Sequence, residues 1–270
     1  MRIWTAVLVL LAGMVQAAEV YTPVRQVLVP GGFVLGRVAP GAVVTLGGVP
    51  VEVAEDGTFV AGFDRKAGGK KWLKVCEGKT CRSQGLSLAE REFKTQVIKG
   101  VPAKTVNPDK AQLKRIAADS AAIGAARKQQ HRLMGFAQPF MLPVEAPTSG
   151  VFGSRRTYNG EERSWHKGHD LAAPKGTPVK APADAVVVLA RDTFMNGNLV
   201  ILDHGYGLTS LYAHLDSMAV QVGDAVRAGD VLGKVGTTGR STGPHLHWGM
   251  NWGTMAIDPW LWVADNKKRE

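Results

Sequence analysis

Short β-branched runs separated by glycine turns fill most of this 270-residue chain. That texture leaves little room for anything but a mainly β fold. Residues 19–100 carry Phe33-Val34-Leu35, Val43-Val44-Thr45-Leu46, Val49 to Val53 and Thr58-Phe59-Val60. Gly31-Gly32, Pro40-Gly41, Gly47-Gly48 and Asp56-Gly57 punctuate them. Strands this short with turns this regular predict a small β-sandwich. No chemistry is visible in it, so a spacer, a binding module or a cover over a site elsewhere is expected. From Pro143 the texture returns: Ala185–Leu189, Leu199–Leu202, Leu208–Leu215, Ala219–Val222, Val231–Val235 and Leu246–Met250. These predict a second, mostly antiparallel β domain over residues 141–270.

Pro102 and Pro108 mark a break between the two β regions. Asn107 as N-cap and Pro108 at the first helical position predict a helix reaching to about Leu133. Leu113, Ile116, Ala117 and Ile123 recur at helical spacing, and Lys110, Lys114, Arg115, Arg127 and Lys128 fall on the other face. One amphipathic helix is therefore expected to link the domains, within residues 101–140.

The first eighteen residues read differently. Arg2 precedes an apolar run, Ile3 to Val15, which ends at Val15-Gln16-Ala17-Ala18. The run is shorter than the roughly 18–20 residues a membrane span needs. A positive start, a short apolar core and a small-residue exit predict a cleavable signal peptide, cut after Ala17 or Ala18. No later stretch is long and apolar enough for a transmembrane span. Hydrophobic residues make up 45% of the chain, which excludes wholesale disorder. Lys+Arg of 33 against Asp+Glu of 23 gives a net charge of +10, which favours anionic partners. No nucleic-acid-binding motif accompanies that charge, so attraction to an anionic wall or envelope is the simpler account.

Cys76 and Cys81 are the two cysteines, flanking Glu77-Gly78-Lys79-Thr80. In an exported protein they are expected to close a small loop. Loop-closure entropy assigns such a staple about 2 kcal/mol. The spacing is not C-x-x-C, and two cysteines make a poor zinc site.

Five of the seven histidines fall in three clusters: His166 and His169 with Asp170, Tyr212 with His214, and His245 with His247. His131, on the predicted helix, and His204, beside the turn Asp203-His204-Gly205, are expected to be solvated or structural. Along a strand, residues i and i+2 point the same way, so His245 and His247 share a face while Leu246 anchors the other. Two co-facing imidazoles begin a metal site. The stretch Trp165 to Asp170 adds an imidazole and a carboxylate four residues apart, with Gly168 letting the backbone curve. A third ligand from His247 would leave zinc one position for water. On chemistry alone His169 competes with Asp170 for that role.

The three segments His166-x-Gly168-x-Asp170, Tyr212-x-His214-Leu215 and Gly239-x-Ser241-Thr242-Gly243-Pro244-His245-Leu246-His247 together resemble the M23 family of zinc metallopeptidases. These are the lysostaphin-type, or LytM-type, peptidoglycan endopeptidases. The resemblance covers about residues 145–262 and matches all three motifs in order and spacing. Phe152-Gly153-Ser154-Arg155 is similar to the family's opening strand. The resemblance implies an antiparallel β LytM-type peptidase domain and one Zn2+ ion held by His166, Asp170 and His247. It implies catalytic roles for His214 and His245, which do not hold the metal. It implies hydrolysis of peptidoglycan peptides. All five positions carry the expected residue, unlike relatives that have lost the site and only activate amidases. The signal peptide, modest size and helix-linked β module are more similar to Gram-negative periplasmic members, which points to D-Ala–diaminopimelate cross-links and a periplasmic location. Arg155, Tyr158 and Asn198 are polar candidates for the substrate groove.

Two other readings compete. Val222-Gly223-Asp224-Ala225-Val226 and Ala228-Gly229-Asp230-Val231-Leu232-Gly233 resemble hairpins of biotinyl and lipoyl carrier domains. Lys234 is the one lysine nearby, and this reading leaves the histidines unexplained. The second is a non-hydrolytic cell-wall-binding or amidase-activator module.

Overall fold

The β-branched runs form strands in the computed structural model, which describes residues 19–98, 108–158 and 161–263. The expected signal peptide at 1–18 and Asn107 lie outside these residues. The fold is mainly β. Strands β1 (Thr22–Val27), β2 (Phe33–Arg37), β3 (Val43–Leu46), β4 (Val49–Val51), β5 (Thr58–Gly62), β6 (Lys70–Glu77) and β7 (Thr80–Ser87) come first. They build two sheets, ordered β1-β2-β5 and β4-β3-β6-β7, with antiparallel pairing throughout. Phe33, Leu35, Phe59 and Val60 of the first sheet share one core with Val44, Leu46, Leu73 and Val75 of the second. Cys76 and Cys81 stand opposite each other across β6 and β7 and are joined by a disulfide.

That core does not stop at the sandwich; it runs on into the C-terminal sheet. Phe33 stacks on Trp262 with ring centroids 3.9 Å apart. Arg25 donates to the carbonyls of Leu261, Trp262 and Val263 at 2.7, 2.7 and 3.1 Å. Arg91 pairs with the buried Asp258 at 2.5 Å.

Strand β8 (Thr95–Ile98) precedes the helix α1 (Lys110–Ala126). The helix starts two residues later than the expected Pro108. Asp109 is the N-cap, and a capping box with Gln112 satisfies both backbone donors. It also ends earlier than Leu133. The His131 backbone N–H and its ring Nδ1 both reach the buried Asp203 carboxylate, at 2.9 and 2.8 Å, and that pull takes the chain out of the helix. His131 is thus structural and lies beyond the helix. The buried stripe differs from the expected one: Leu113 is 52% exposed and Ala117 is exposed. Ile116, Asp119, Ile123 and Ala126 face inward instead. Asp119 tolerates burial because its carboxylate takes the Arg191 guanidinium at 3.2 Å and the Phe194 N–H at 2.8 Å.

The remaining strands are β9 (Thr148–Gly150), β10 (Arg155–Tyr158), β11 (Glu161–Arg163), β12 (Gly168–Leu171), β13 (Pro178–Lys180), β14 (Ala185–Thr193), β15 (Gly197–Asp203), β16 (Leu208–Met218), β17 (Ala225–Val226), β18 (Val231–Val235), β19 (Leu246–Trp252) and β20 (Met255–Ile257). The central sheet runs β17-β14-β15-β16-β19-β12-β9, with β18 on β16 and β13, and β20 on β19. Its pairs are antiparallel. β8 and β10 form a parallel pair, which carries residues 95–98 to the edge of the site. Residues 219–222 do not form the expected strand. Asp224 accepts from the Gln221 N–H and closes a turn there.

The two faces of this sheet have different partners. One face sends Tyr212, Leu246, Trp248 and Met250 into the shared core. The other presents Leu199, Ile201, Leu211 and Ala213 to Ile123 and Ala126 of α1. Among the described residues no helix is long and apolar enough to cross a membrane.

Candidate functional site

Alternation along β19 puts His247 on the face opposite Leu246 and Trp248, as expected for a strand. β12 pairs with β19 so that Asp170 stands opposite His247. His166 lies just before β12, four residues from Asp170. Three atoms converge: His166 Nε2 lies 3.0 Å from His247 Nδ1 and 2.9 Å from Asp170 Oδ1, and His247 Nδ1 lies 2.8 Å from the same oxygen. His166 Nδ1 donates to the Val151 carbonyl at 3.0 Å, which leaves Nε2 as a lone pair. Three acceptor-type atoms thus meet with at most one proton among them. Such a set suits a cation. Ligands on a tetrahedral zinc at roughly 2.0–2.1 Å lie about 3.3 Å apart, close to the spacing found here.

The electrostatics agree with that arrangement. Burial alone would raise the Asp170 pKa, but the imidazoles of His166 and His247 beside it hold it well below the usual carboxylate range. Burial pushes His166 down to about 4, with His247 and Arg156 adding to the effect. Both groups are therefore in forms able to bind a cation at neutral pH. Gly168 is needed here for space rather than for curvature: a methyl on it would stand 2.4 Å from the Trp248 carbonyl oxygen and 2.8 Å from His247 Cε1.

His169, the rival for Asp170, points the other way. Its ring stacks on Trp260 with centroids 4.4 Å apart, and Nε2 meets Thr148 Oγ1 at 2.9 Å. Strand alternation alone separates the two.

His214 and His245 close the other side of the cluster. Their ring centroids are 4.8 Å apart, and His214 lies 6.1 Å from His247. His245 Nε2 comes within 4.0 Å of Asp170 Oδ1. His214 Nδ1 meets the Thr238 carbonyl at 2.8 Å and His245 Nδ1 meets the Gly243 carbonyl at 2.9 Å. Each carbonyl accepts from an Nδ1–H, which fixes the tautomer and leaves Nε2 as the acceptor. His214 is buried, and that burial, with His245 and His247 nearby, drops its pKa to about 3.

A backbone irregularity aims His214. Between Tyr212 and Leu215 β16 carries one residue more than its partner β15, so the strand bulges. His214 sits in the left-handed region at φ 63°. A non-glycine residue there is uncommon and stores strain of order 1 kcal/mol. The bulge breaks the i, i+2 rule, so Tyr212 and His214 part company. Tyr212 turns into the core, where its hydroxyl meets Ser210 Oγ at 2.7 Å. It is not part of the site.

Arg156 is a site residue that motif reading missed. Its Nη2 donates to Asp170 Oδ2 at 2.5 Å, and its Nε to Gln96 Oε1 at 3.2 Å. The only sequence signal was its place beside Arg155, after Phe152-Gly153-Ser154. Of the groove candidates, Asn198 is structural, since its Nδ2 donates to the carbonyls of Leu215 and Asp216 at 3.1 and 3.2 Å. Arg155 is exposed and borders a cavity beside Arg156 and Trp165. The Tyr158 side chain lies outside the described residues. His204 is buried between the Asp184 carbonyl and Ser210, far from any of these groups in role.

Two cavities open beside the cluster, of about 290 and 210 Å³, and both are bordered by Arg156, His214 and Arg240. Gln96 of β8 lines the first.

Comparison with known proteins follows the same residues. The model of peptidase family M23 matches residues 164–259. Over 83 residues the chain is 51% identical to the DD-carboxypeptidase/endopeptidase Mpg of Neisseria meningitidis, covering 31% of this chain and 19% of that protein. Over 101 residues it is 42% identical to the peptidoglycan DD-endopeptidase ShyA of Vibrio cholerae, covering 37% of this chain and 24% of that one. The chain thus spans about a fifth to a quarter of the length of these curated relatives. A crystal structure of a Pseudomonas aeruginosa protein assigned to peptidase M23 is similar over far more: 87% of this chain and 94% of that one, at 32% identity and a TM-score of 0.66.

Proposed function

We propose that this chain, which belongs to peptidase family M23, is a zinc-dependent endopeptidase acting on the cross-links of peptidoglycan. The observation that carries this is the meeting of His166 Nε2, Asp170 Oδ1 and His247 Nδ1 within 3.0 Å of one another, beside two further imidazoles. His166, Asp170 and His247 would hold the ion. Zinc, when bound, supplies a Lewis acid that acidifies water and polarises a carbonyl.

The chain's own groups then divide the proton work. His214 is neutral at pH 7 and offers its Nε2 lone pair, so it is placed to take a proton. Its Nδ1–H, fixed on the Thr238 carbonyl, keeps that lone pair turned inward. His245 stands on the groove side, with Nε2 toward the same space. Once protonated, it would donate to the oxygen that gains charge as the peptide carbonyl becomes tetrahedral. Arg156 keeps Asp170 oriented by holding the oxygen that faces away from the imidazoles. Gln96, Ser149 and the Arg240–His245 segment border the groove in which a peptide would lie.

The D-Ala–diaminopimelate bond is the expected target, in keeping with relatives named DD-endopeptidases. The reading includes export behind a cleaved leader at 1–18, a periplasmic location, and division into a module at 19–100, a linker at 101–140 and a peptidase domain at 141–270. The test is mass spectrometry of products released from purified cross-linked muropeptides by the zinc-loaded protein, with His245→Ala as the blank. Cleavage at D-Ala–diaminopimelate is expected. Glycine-terminated fragments would overturn the bond assignment. Release of nothing would turn the reading to a non-hydrolytic wall-binding or amidase-activating module.

A further inference from the structure

The helix α1 does more than cover the sheet. A cavity of about 320 Å³ lies between it and the sheet, and His247 forms part of its wall. Arg127, Lys167, Ser120, Asn196 and Asn251 also border it. No acidic residue does so among the described residues.

Arg127 is the anomaly. It is the C-cap of α1, and its Nε is fully enclosed with no hydrogen-bond partner. No ion pair reaches it among the described residues. Other half-buried arginines are satisfied: Arg25 by three carbonyls, Arg91 by Asp258 and Arg156 by Asp170. Burial lowers the Arg127 pKa to about 10, so the group stays protonated at neutral pH. The carbonyl end of α1 offers it a partial negative charge. That does not replace a counter-ion for a desolvated guanidinium. A planar, fully charged fork beside neutral amides and a hydroxyl, next to a lysine, has the chemistry of a carboxylate receptor.

We infer that Arg127 and Lys167 form a carboxylate-binding subsite on the His247 side of the centre, which takes a free carboxylate of the stem peptide lying in the groove. This inference rests on the peptidoglycan reading for its ligand. Arg127 would act as a specificity residue, holding the peptide in register while the histidines work on the neighbouring amide. Helix α1 would then form one wall of the substrate groove, supplied from outside the segment that carries the three motifs.

The test uses the full, zinc-loaded protein and two probes: a tetrapeptide stem with free carboxylates, and the same peptide with every carboxylate amidated. Calorimetric titration is expected to show the free-acid form bound about tenfold tighter or more. Arg127→Gln should remove that preference without lowering Tm, because it removes a buried charge that has no partner. Arg127→Lys should keep part of the preference. Equal binding of both peptides by the unaltered protein would overturn the subsite. So would an unchanged preference in Arg127→Gln, above all if its Tm falls, since the arginine would then be a packing and capping residue. If Arg127→Gln does not fold, the amidation pair on the unaltered protein and on Arg127→Lys decides alone. Cleavage of cross-linked dimers is followed in parallel. Cleavage with no carboxylate preference sinks the subsite and leaves the endopeptidase. A preference without any cleavage sinks the endopeptidase and leaves a peptide-binding site.

Discussion

Arg156 grips the one oxygen of Asp170 that the imidazoles leave free: Nη2 donates to Oδ2 at 2.5 Å, while Oδ1 faces His166 and His247. A carboxylate held in this way cannot swing out of the cluster without breaking a charge-assisted bond. Outer partners of metal ligands typically tune affinity by roughly 10–100-fold. Arg156→Ala should therefore weaken zinc by about that factor, measured by competition with a chelator of known affinity. An unchanged affinity would show that Asp170 needs no outer support.

The five polar groups of the cluster should separate into two classes on removal. His166→Ala, Asp170→Ala and His247→Ala are each expected to lose stoichiometric zinc in elemental analysis. His214→Ala and His245→Ala should keep the metal and lose turnover by about a hundredfold or more, the usual cost of deleting a transition-state donor or base. Full zinc occupancy in one of the first three would remove that residue from the ligand set. Near-normal turnover in one of the last two would remove it from the chemistry.

Gly168→Ala tests the close approach of β12 to β19. The added methyl would meet the Trp248 carbonyl oxygen at 2.4 Å and His247 Cε1 at 2.8 Å. Neither is the loose end of a flexible side chain, so the strands must part. Overpacking of this kind costs about 1–3 kcal/mol. Urea unfolding should show that loss, accompanied by weaker zinc binding as His247 is displaced.

His204 makes a pH prediction that does not involve the metal centre. Burial, chiefly, pushes its pKa down to about 4, where the unfolded imidazole titrates near 6.5. Between those values the unfolded chain holds a proton that the folded chain does not. Stability therefore rises with pH across that window and falls as the solution is acidified. From pH 7 to pH 5 this one residue should account for about 2 kcal/mol. Urea unfolding of the native protein and of His204→Gln at both pH values reads it directly. The variant should show the shallower dependence, and equal slopes would dismiss the effect.

Local pattern made some of the site readable. His245-Leu246-His247 follows strand alternation, and the strand does present His247 to the centre and Leu246 to the core. Between His169 and Asp170, chemistry alone gave no choice, because the answer depends on which residue of β12 shares a side of the sheet with His247. The motif singled out His214, but nothing in the residue string signals the bulge that turns it away from Tyr212. Arg156 escaped for a related reason: its partner lies fourteen residues ahead, across a fold in the chain. The helix shows the same limit. Apolar spacing signalled a helix here but not its bounds or its inward face, which leaves Leu113 out and takes in Asp119, whose partners Arg191 and Phe194 are distant in sequence. Its end is likewise set by the His131–Asp203 contact rather than by any local stop signal.

The clasp between Arg25, Phe33 and residues 261–263 joins the first sheet to a segment far along the chain. Arg25 and Trp262 stand 237 residues apart, so a ribosome makes them at well-separated times. The first sheet can therefore gather its own strands early but cannot seal this edge until residues 261–263 have been made. A product cut short before residue 261 would leave Phe33 uncovered and Arg25 without its carbonyls, and proteases would meet it as an unfinished protein.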